Sequence, residues 1–442
     1  MISSVKPSLP DPRIGHPRFR RLADWLAWQE QLHVREIDLG LERVRKVADR
    51  LGLGKPAYTV ISVAGTNGKG SCVEMLHKTL SAAGYRTGVY TSPHLIRYNE
   101  RIRVAGGEVT DEQLCAAFQR IDEARGDTSI TYFEFGTLAA LEIFEHVGID
   151  IAILEVGLGG RLDAVNLVDP DVALITTIDL DHLEWLGDNR ESIGHEKAGI
   201  LRPGRAAVCA DPQPPQSVLN DARALNVPLS VCGRDYHFSG TTGGWQWQGV
   251  HMQFPNLPLP ILTGAFQLQN AAGVLAVIQA LPDTLQVGAD DIRQGLVQAS
   301  LNGRFQCLDG PVQYVLDVAH NPQAARALAT TLDETPVPGR THALLGMLRD
   351  KDCRGVVECL SGRIDEWHLA SITAGHRGAQ ASELQHAMFA AGISEPISVY
   401  DDVRQALTRL RELTQDGDRV LIIGSFLTVS AALPLLTAPG ND

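Results

Sequence analysis

The chain lacks cysteine spacings of the kind that build disulfide frameworks. Its seven cysteines (Cys72, Cys115, Cys209, Cys232, Cys307, Cys353 and Cys359) are odd in number, and no two stand in a C-x-x-C pattern. This argues against a disulfide framework or a zinc site and fits a reducing compartment. Long apolar runs are also missing, since no stretch reaches the roughly 18 residues that cross a bilayer. The segment Met1–Arg21 holds four prolines and several arginines but no apolar run. No signal peptide is therefore expected, and a cytoplasmic location is. Positive charge is in deficit: 39 basic against 52 acidic residues leave a net charge of −13. A broad basic surface for nucleic acid is excluded on that count, although a local basic pocket for a small anion is not. Internal repeats and low-complexity tracts are absent too.

What is present is enough chain, at 442 residues, for two or three domains of roughly 100–200 residues each. After a helix predicted over Trp25–Gln31 comes the short β-branched run Tyr58–Ala64, which reads as a buried strand. A glycine-rich turn follows, then a helical pattern over Ser71–Ala83 closed by Gly84. Strands are predicted over Thr87–Thr91, Ile149–Val156 and Val172–Thr177, and helices over Thr110–Arg125 and Phe133–Val147. Such alternation predicts a parallel sheet wound on both faces. Between Ser239 and Leu262 the Gly-Trp-Gln texture predicts a small antiparallel excursion, and Asn270–Leu281 an alanine-rich helix. Beyond Arg304 the alternation restarts with Gln313–Val318, Ala324–Thr331, His342–Leu345 and Glu366–Leu369. It ends with the strand Arg419–Ile423 and the helix Leu427–Leu436. The expected fold class is α/β: a mononucleotide-binding domain on a mostly parallel sheet over residues 1–300, and a smaller C-terminal α/β, Rossmann-like domain over residues 301–442.

Gly65-Thr66-Asn67-Gly68-Lys69-Gly70-Ser71 sits between the first strand and its helix. Glycines there let successive backbone N–H groups converge on phosphate oxygens at a helix N-terminus, and Lys69 adds a full charge for the outer phosphates. The spacing departs from G-x-x-x-x-G-K-[ST], because Gly70 stands between Lys69 and the hydroxyl of Ser71, so this is a variant P-loop.

Polar residues at strand ends extend the site, since open α/β sheets gather ligands there. Ser92 follows one strand, and Glu155 ends another. A buried carboxylate needs a cation or hydrogen bonds, and Mg²⁺ on nucleotide phosphates would supply the former; an ion pair with Arg161 is the plainer alternative. His182 closes Thr176–His182, where a helix-capping or surface histidine is the plainer reading. Lys197, in Glu196-Lys197-Ala198-Gly199-Ile200, reads from residue chemistry alone as a surface lysine.

The ordered set Ile37–Arg43, Gly65–Ser71, Thr91–Leu95, Thr131–Glu134, Leu154–Asp163, Asp181-His182, Glu196–Ile200 and Asp317–Pro322 resembles the Mur ligase superfamily. Within it the likeness is to bacterial bifunctional dihydrofolate synthase/folylpolyglutamate synthases, from about Trp25 to the C-terminus. The resemblance implies an ATP-dependent ligase that forms an acyl phosphate and couples it to L-glutamate. It implies that Gly65, Thr66, Asn67, Gly68, Lys69, Gly70 and Ser71 cradle ATP, with Asn270, Arg304 and Asp317 as further nucleotide contacts. Ser92 and Glu155 would hold one Mg²⁺. His182 would hold a second, together with a carbamylated Lys197; Lys69, Lys197 and His182 are the catalytic candidates. Asp38, Leu39, Gly40, Leu41, Thr131, Tyr132, Phe133, Glu134, Leu162, Asp163 and Ala164 match the pterin side. His320 shares the nucleotide-facing motif of Asp317. One departure is Asn302-Gly303-Arg304 where the family often has Pro-Gly-Arg, a loss that alters hinge stiffness more than nucleotide contact. The implied partners are dihydropteroate, reduced folates and L-glutamate, with no nucleic acid and no membrane, and the chain is expected to be a monomer. Rival readings are a folylpolyglutamate synthase without the dihydropteroate activity, a peptidoglycan Mur ligase, a P-loop kinase and a nucleotide-switch protein. The peptidoglycan reading expects a UDP-binding domain ahead of Gly65.

Overall fold

The computed structural model describes residues 18–264, 266–373 and 377–437. Two α/β layers account for most of it. The first is an eight-stranded sheet of β1 (Thr59–Ala64), β2 (Thr87–Tyr90), β3 (Ile102–Val104), β4 (Gly107–Glu108), β5 (Ile151–Glu155), β6 (Val172–Ile175), β7 (Ala206–Cys209) and β8 (Leu229–Val231). Its order is β4-β3-β2-β5-β1-β6-β7-β8, parallel except where β3 pairs with β2 and β4. β1 lies at the centre because its residues are apolar on both faces. Val60 and Ala64 enter one core with the helices Asp111–Arg125 and Tyr132–Val147, while Ile61 and Val63 enter another with the helices Lys69–Ala82 and Gln267–Gln279. Double-sided burial of this kind explains why β1, β5 and β6 read as continuous hydrophobic runs rather than alternating ones.

The expected antiparallel excursion forms as β9 (His237–Thr241), β10 (Gly244–Gln248) and β11 (Gln253–Leu257). Trp245 and Trp247 project from one face of β10 and are fully buried, whereas Gln246 and Gln248 are exposed. Each indole finds an acceptor, at Pro258 O (2.9 Å) and Ala272 O (3.1 Å) respectively, as buried tryptophans usually require.

A six-stranded sheet of β12 (Gln306–Leu308), β13 (Gln313–Leu316), β14 (Thr341–Leu345), β15 (Glu366–Ala370), β16 (Ile397–Tyr400) and β17 (Arg419–Ile423) follows in the order β12-β13-β17-β14-β15-β16. Only β12 runs antiparallel. Its two faces carry separate cores, one under the helices Pro322–Glu334, Cys353–Leu360 and Ala381–Ala390, the other under Val403–Leu413 and Phe426–Thr437. The carboxyl ends of both large sheets open onto one cavity. Among the described residues no helix is long and apolar enough to cross a membrane.

Candidate active site

A cavity of about 1000 Å³ is lined by Gly65 to Ser71 from the loop after β1, Ser92 after β2, Glu155 at the end of β5, and Asp181 and His182 beyond β6. From the second sheet come Arg304, Asp317, His320, Lys351 and Ser425. The glycine loop has its shape for steric reasons. Gly68 caps the helix Lys69–Ala82 in the left-handed region, at φ 88°. A Cβ there would stand 2.4 Å from Asn270 Oδ1, and one at Gly65 (φ 152°) only 1.7 Å from Thr176 Oγ1. Asn270 is itself buried and bonded to Gln267, so it cannot retreat cheaply.

Lys69 folds back on its own loop, donating to Gly65 O (3.1 Å) and Thr66 O (3.2 Å). Burial lowers its pKa from the ordinary lysine value, against the opposing pull of Glu155 and Asp181. Glu155 is buried, with one oxygen accepting from Ser92 N (3.2 Å). Burial raises its pKa, while the charges of Lys69 and Arg304 and the Ser92 N–H work the other way. Arg304 stands over the Phe426 ring at 5.2 Å, and burial lowers its pKa against Asp317 and Glu155. Asp317, raised by burial, accepts from Phe305 N and Ala319 N at 2.8 Å each. These four groups are charges deprived of water, and ligand ions of either sign would relieve them.

A second cluster lies beside the first. Lys351 Nζ is 2.6 Å from Asp181 Oδ1 and 3.4 Å from His182 Nε2, and His320 Nε2 is 3.4 Å from Asp181 Oδ2. Burial opposes ionisation of Asp181, but the His320 hydrogen bond and the neighbouring His182 and Lys351 charges hold it far below the usual carboxylate range. His182 caps a one-turn helix at φ 52°, a strained conformation for a histidine, and burial pulls its pKa to about 4 despite Asp181. Its ring is thus neutral at physiological pH with a lone pair to offer. Lys197 is 3% exposed. Burial, aided by the charge on Lys69, draws its pKa down to about 7 against Asp181 and Asp163. The surface reading of Lys197 is therefore corrected: the helix Arg190–Ala198 turns this side chain inward, where Gly160 leaves room for the lysine backbone. The pairing of Glu155 with Arg161 is corrected too, because Arg161 bonds Glu196 instead, at 2.7 Å.

Hydrogen bonds tie the two sheets across the cavity. Asn67 and Asn321 exchange side-chain amide bonds at 3.1 Å, and Asn67 also donates to Gln323 at 2.6 Å. Arg326 reaches Asp179 at 2.8 Å.

On the far side, Tyr132 and Phe133 line the cavity with His33, Arg101 and His94. Arg101 lies over the rings of Tyr98 and Tyr132 at 5.3 and 5.5 Å and donates to His94 Nδ1 at 2.8 Å. The remaining expected pterin-side residues stand behind this wall. Asp38 pairs with Arg43 (2.6 Å) and His33 (3.0 Å). Thr131 and Glu134 cap the helix Tyr132–Val147, and Glu134 also holds Arg43 at 3.0 Å. Gly40 N bonds Leu162 O at 3.2 Å, and Asp163 caps Ala164–Leu167 while accepting from Leu158 N at 2.8 Å. Burial raises the Asp163 pKa to about 7 against those backbone N–H groups. Asp38, Leu39, Gly40, Leu41, Thr131, Glu134, Leu162, Asp163 and Ala164 do not line the cavity itself.

Arg101, His94 and Lys351 escape sequence reasoning. His94 lies within the run Thr91–Leu95, where only Ser92 drew a role; Arg101 closes the short 3-10 turn Tyr98–Arg101 and Lys351 stands in a loop, neither with a motif around it.

Two family models match the chain: "Mur ligase middle domain" over residues 63–278 and "Mur ligase, glutamate ligase domain" over residues 303–426. The dihydrofolate synthase/folylpolyglutamate synthase of Escherichia coli is 45% identical over 417 residues, covering 94% of this chain and 96% of that protein. A solved structure of E. coli FolC in complex with DHPP and ADP superposes with a TM-score of 0.90 at 44% identity, covering 95% of this chain and 98% of that one. A bifunctional folylpolyglutamate synthase/dihydrofolate synthase with Mn, AMPPNP and L-glutamate bound gives 0.87 at 46% identity, covering 94% and 98%.

Proposed function

The chain belongs to the Mur ligase family, and from that premise we propose that it is an ATP-dependent ligase adding L-glutamate to dihydropteroate, giving dihydrofolate, and to reduced folates, giving folylpolyglutamates. The observation that carries this reading is the meeting of the glycine loop with Lys69, Glu155 and Arg304, each shifted in pKa by burial, in one cavity between the two sheets. A net charge of −13 would repel a triphosphate; this pocket, with Lys69, Lys351, Arg101 and Arg304 in its wall, would receive one.

In this reading the loop N–H groups and Lys69 hold the ATP phosphates, and Asn270, Arg304 and Asp317 hold the rest of the nucleotide. The substrate carboxylate oxygen attacks the γ-phosphorus, ADP departs, and an acyl phosphate forms. The glutamate amine then adds to the carbonyl carbon. The tetrahedral intermediate expels phosphate, the nitrogen gives up a proton, and an amide remains. Such transfer rests on alignment and charge stabilisation, and the acyl phosphate must be shielded from water. The Asn67–Asn321 and Arg326–Asp179 contacts hold the second sheet over the loop to that end.

Divalent metal fits the donors. Glu155 is a buried carboxylate with a single backbone hydrogen bond, close to Ser92, so both are assigned to one Mg²⁺. His182, neutral at physiological pH, and a carbamylated Lys197 are assigned to a second. An amine with a pKa near 7 is half unprotonated at neutral pH and so nucleophilic toward CO₂. The carbamate replaces a buried cation by an anionic oxygen donor, which hard Mg²⁺ requires. The ions would offset phosphate charge during transfer. Tyr132, Phe133 and Arg101 are assigned to the flat pterin, and Asp38 to Leu41, Thr131, Glu134 and Leu162 to Ala164 to the frame that sets their position.

The test is to incubate the protein with MgATP, labelled glutamate and either dihydropteroate or tetrahydrofolate. Label in a pterin-containing amide with both acceptors is expected. Label with tetrahydrofolate alone would reduce the reading to a folylpolyglutamate synthase, and ATP hydrolysis indifferent to glutamate and pterin would overturn it.

A further inference from the structure

The second sheet carries a side-chain cluster that the ligase chemistry does not use. His342 on β14 stands opposite Glu366 on β15, and His368 lies two residues further along β15. By the two-residue strand repeat all three point to one face, under the helix Val403–Leu413. We propose that His342, Glu366 and His368 bind a Zn²⁺ ion there.

Their donor atoms lie within 4.8 Å of one another. His342 Nδ1 is 3.7 Å from one carboxylate oxygen of Glu366, and His368 Nε2 is 3.7 Å from the other. Those gaps are too long for hydrogen bonds. They are close to the donor separation of about 3.4 Å that tetrahedral zinc with bonds of about 2.0–2.2 Å imposes. The same two nitrogens have no hydrogen-bond partner, although His342 is 2% and His368 0% exposed. Buried imidazole nitrogens are seldom left so, and both aim at the same carboxylate.

The opposite ring nitrogen of His368 is hydrogen-bonded, as in metal-bound histidines generally, while that of His342 only faces a carboxylate beyond hydrogen-bond reach. His368 Nδ1 is bonded to Tyr400 Oη at 3.0 Å, and His342 Nε2 faces Asp418 Oδ2 at 3.8 Å. Two imidazoles and one carboxylate suit Zn²⁺, whereas the all-oxygen preference of Mg²⁺ does not match them. Glu366 is 19% exposed, which gives the ion an entry path and a water as fourth ligand. The trio sits near the amino ends of β14 and β15, while Asp317 and Ser425 emerge at the carboxyl ends of β13 and β17. Zinc here would therefore clip the sheet rather than take part in ligation.

The experiment uses the full chain stripped with a chelator, saturated with Mg²⁺ and ADP to occupy the nucleotide cavity, and titrated with Zn²⁺ against a chromophoric competitor. One equivalent should bind, with a rise in thermal midpoint, and Co²⁺ in its place should give tetrahedral d–d absorption. His342→Gln and His368→Gln should abolish that binding, and Glu366→Gln should weaken it at least about tenfold. Because Glu366 is at the edge of the cluster, its variant should fold and keep full MgATP-dependent ligase activity. Equal Zn²⁺ uptake by wild type and Glu366→Gln, or no uptake by wild type in the presence of Mg²⁺, would overturn the assignment.

Discussion

His77 makes the helix behind the phosphate loop sensitive to acid. It lies on the helix Lys69–Ala82 with 1% exposure, Nδ1 bonded to Thr87 Oγ1 at 2.7 Å and Nε2 without a partner. Burial, and after it the charges of Arg103 and Lys78, depress its pKa from 6.5 to about 3. The folded state therefore binds fewer protons than the unfolded one, and stability present above about pH 6.5 is lost as the pH falls toward the folded value. Linkage gives a loss of about 2 kcal/mol between pH 7.5 and pH 5, rising to about 3 kcal/mol at pH 4. At pH 5 the figure depends on the unfolded pKa alone, provided that the folded value is below about 4. His77→Gln keeps a polar partner for Thr87 and removes the titration. Urea unfolding followed by tryptophan fluorescence, which reports Trp245 and Trp247 packed against this core, should then show wild type losing about 2 kcal/mol more than the variant over that range. Carboxylates that titrate in the same window are common to both proteins and cancel. Equal acid losses would refute the argument, because they would mean that the ring is either protonated in the fold or relieved by water.

Arg304→Ala leaves Glu155 and Asp317 without their shared cation, so ligase turnover should fall by about 10²-fold or more while far-ultraviolet dichroism is retained; unchanged turnover would count against the assigned role. Gly68→Ala forces φ 88° on an L-residue and drives a methyl toward Asn270. It should cost about 1–2 kcal/mol in chemical unfolding, and ADP affinity measured by calorimetry should drop. A variant that binds ADP as wild type does would remove the loop from the site. For Lys197, ¹³C-bicarbonate at about pH 7 should yield a carbamate carbon resonance that Lys197→Arg lacks, since arginine stays protonated. Its absence from wild type saturated with Mg²⁺ would exclude the carbamate.

Sequence alone carries the fold further than it carries the site, and particular residues show why. β1 is predicted over Tyr58–Ala64 and found over Thr59–Ala64, because a strand buried on both faces must be apolar throughout, whatever packs on it. The helix Glu42–Leu51 goes unpredicted although Val44, Val47 and Ala48 recur at helical spacing; six charges in ten residues mask the stripe. The glycine loop is legible since φ is a local demand: Gly68, at φ 88°, answers to its own backbone, although the Asn270 side chain that also crowds it comes from a distant segment. Lys197 is the opposite case. Nothing within five residues distinguishes it from a solvated lysine. Its low pKa arises from burial, in a helix packed over the Gly159–Arg161 turn, and from the charge on Lys69, against the opposing pull of Asp181 and Asp163; these charges come from three other segments. Lys351 is further removed still, reaching Asp181 across 170 residues. Charge placement in a ligase of this kind depends on where two sheets with separate cores meet. Short-range patterns therefore reveal the loops that could hold a ligand, and only tertiary contact decides which ionisable groups those loops will face.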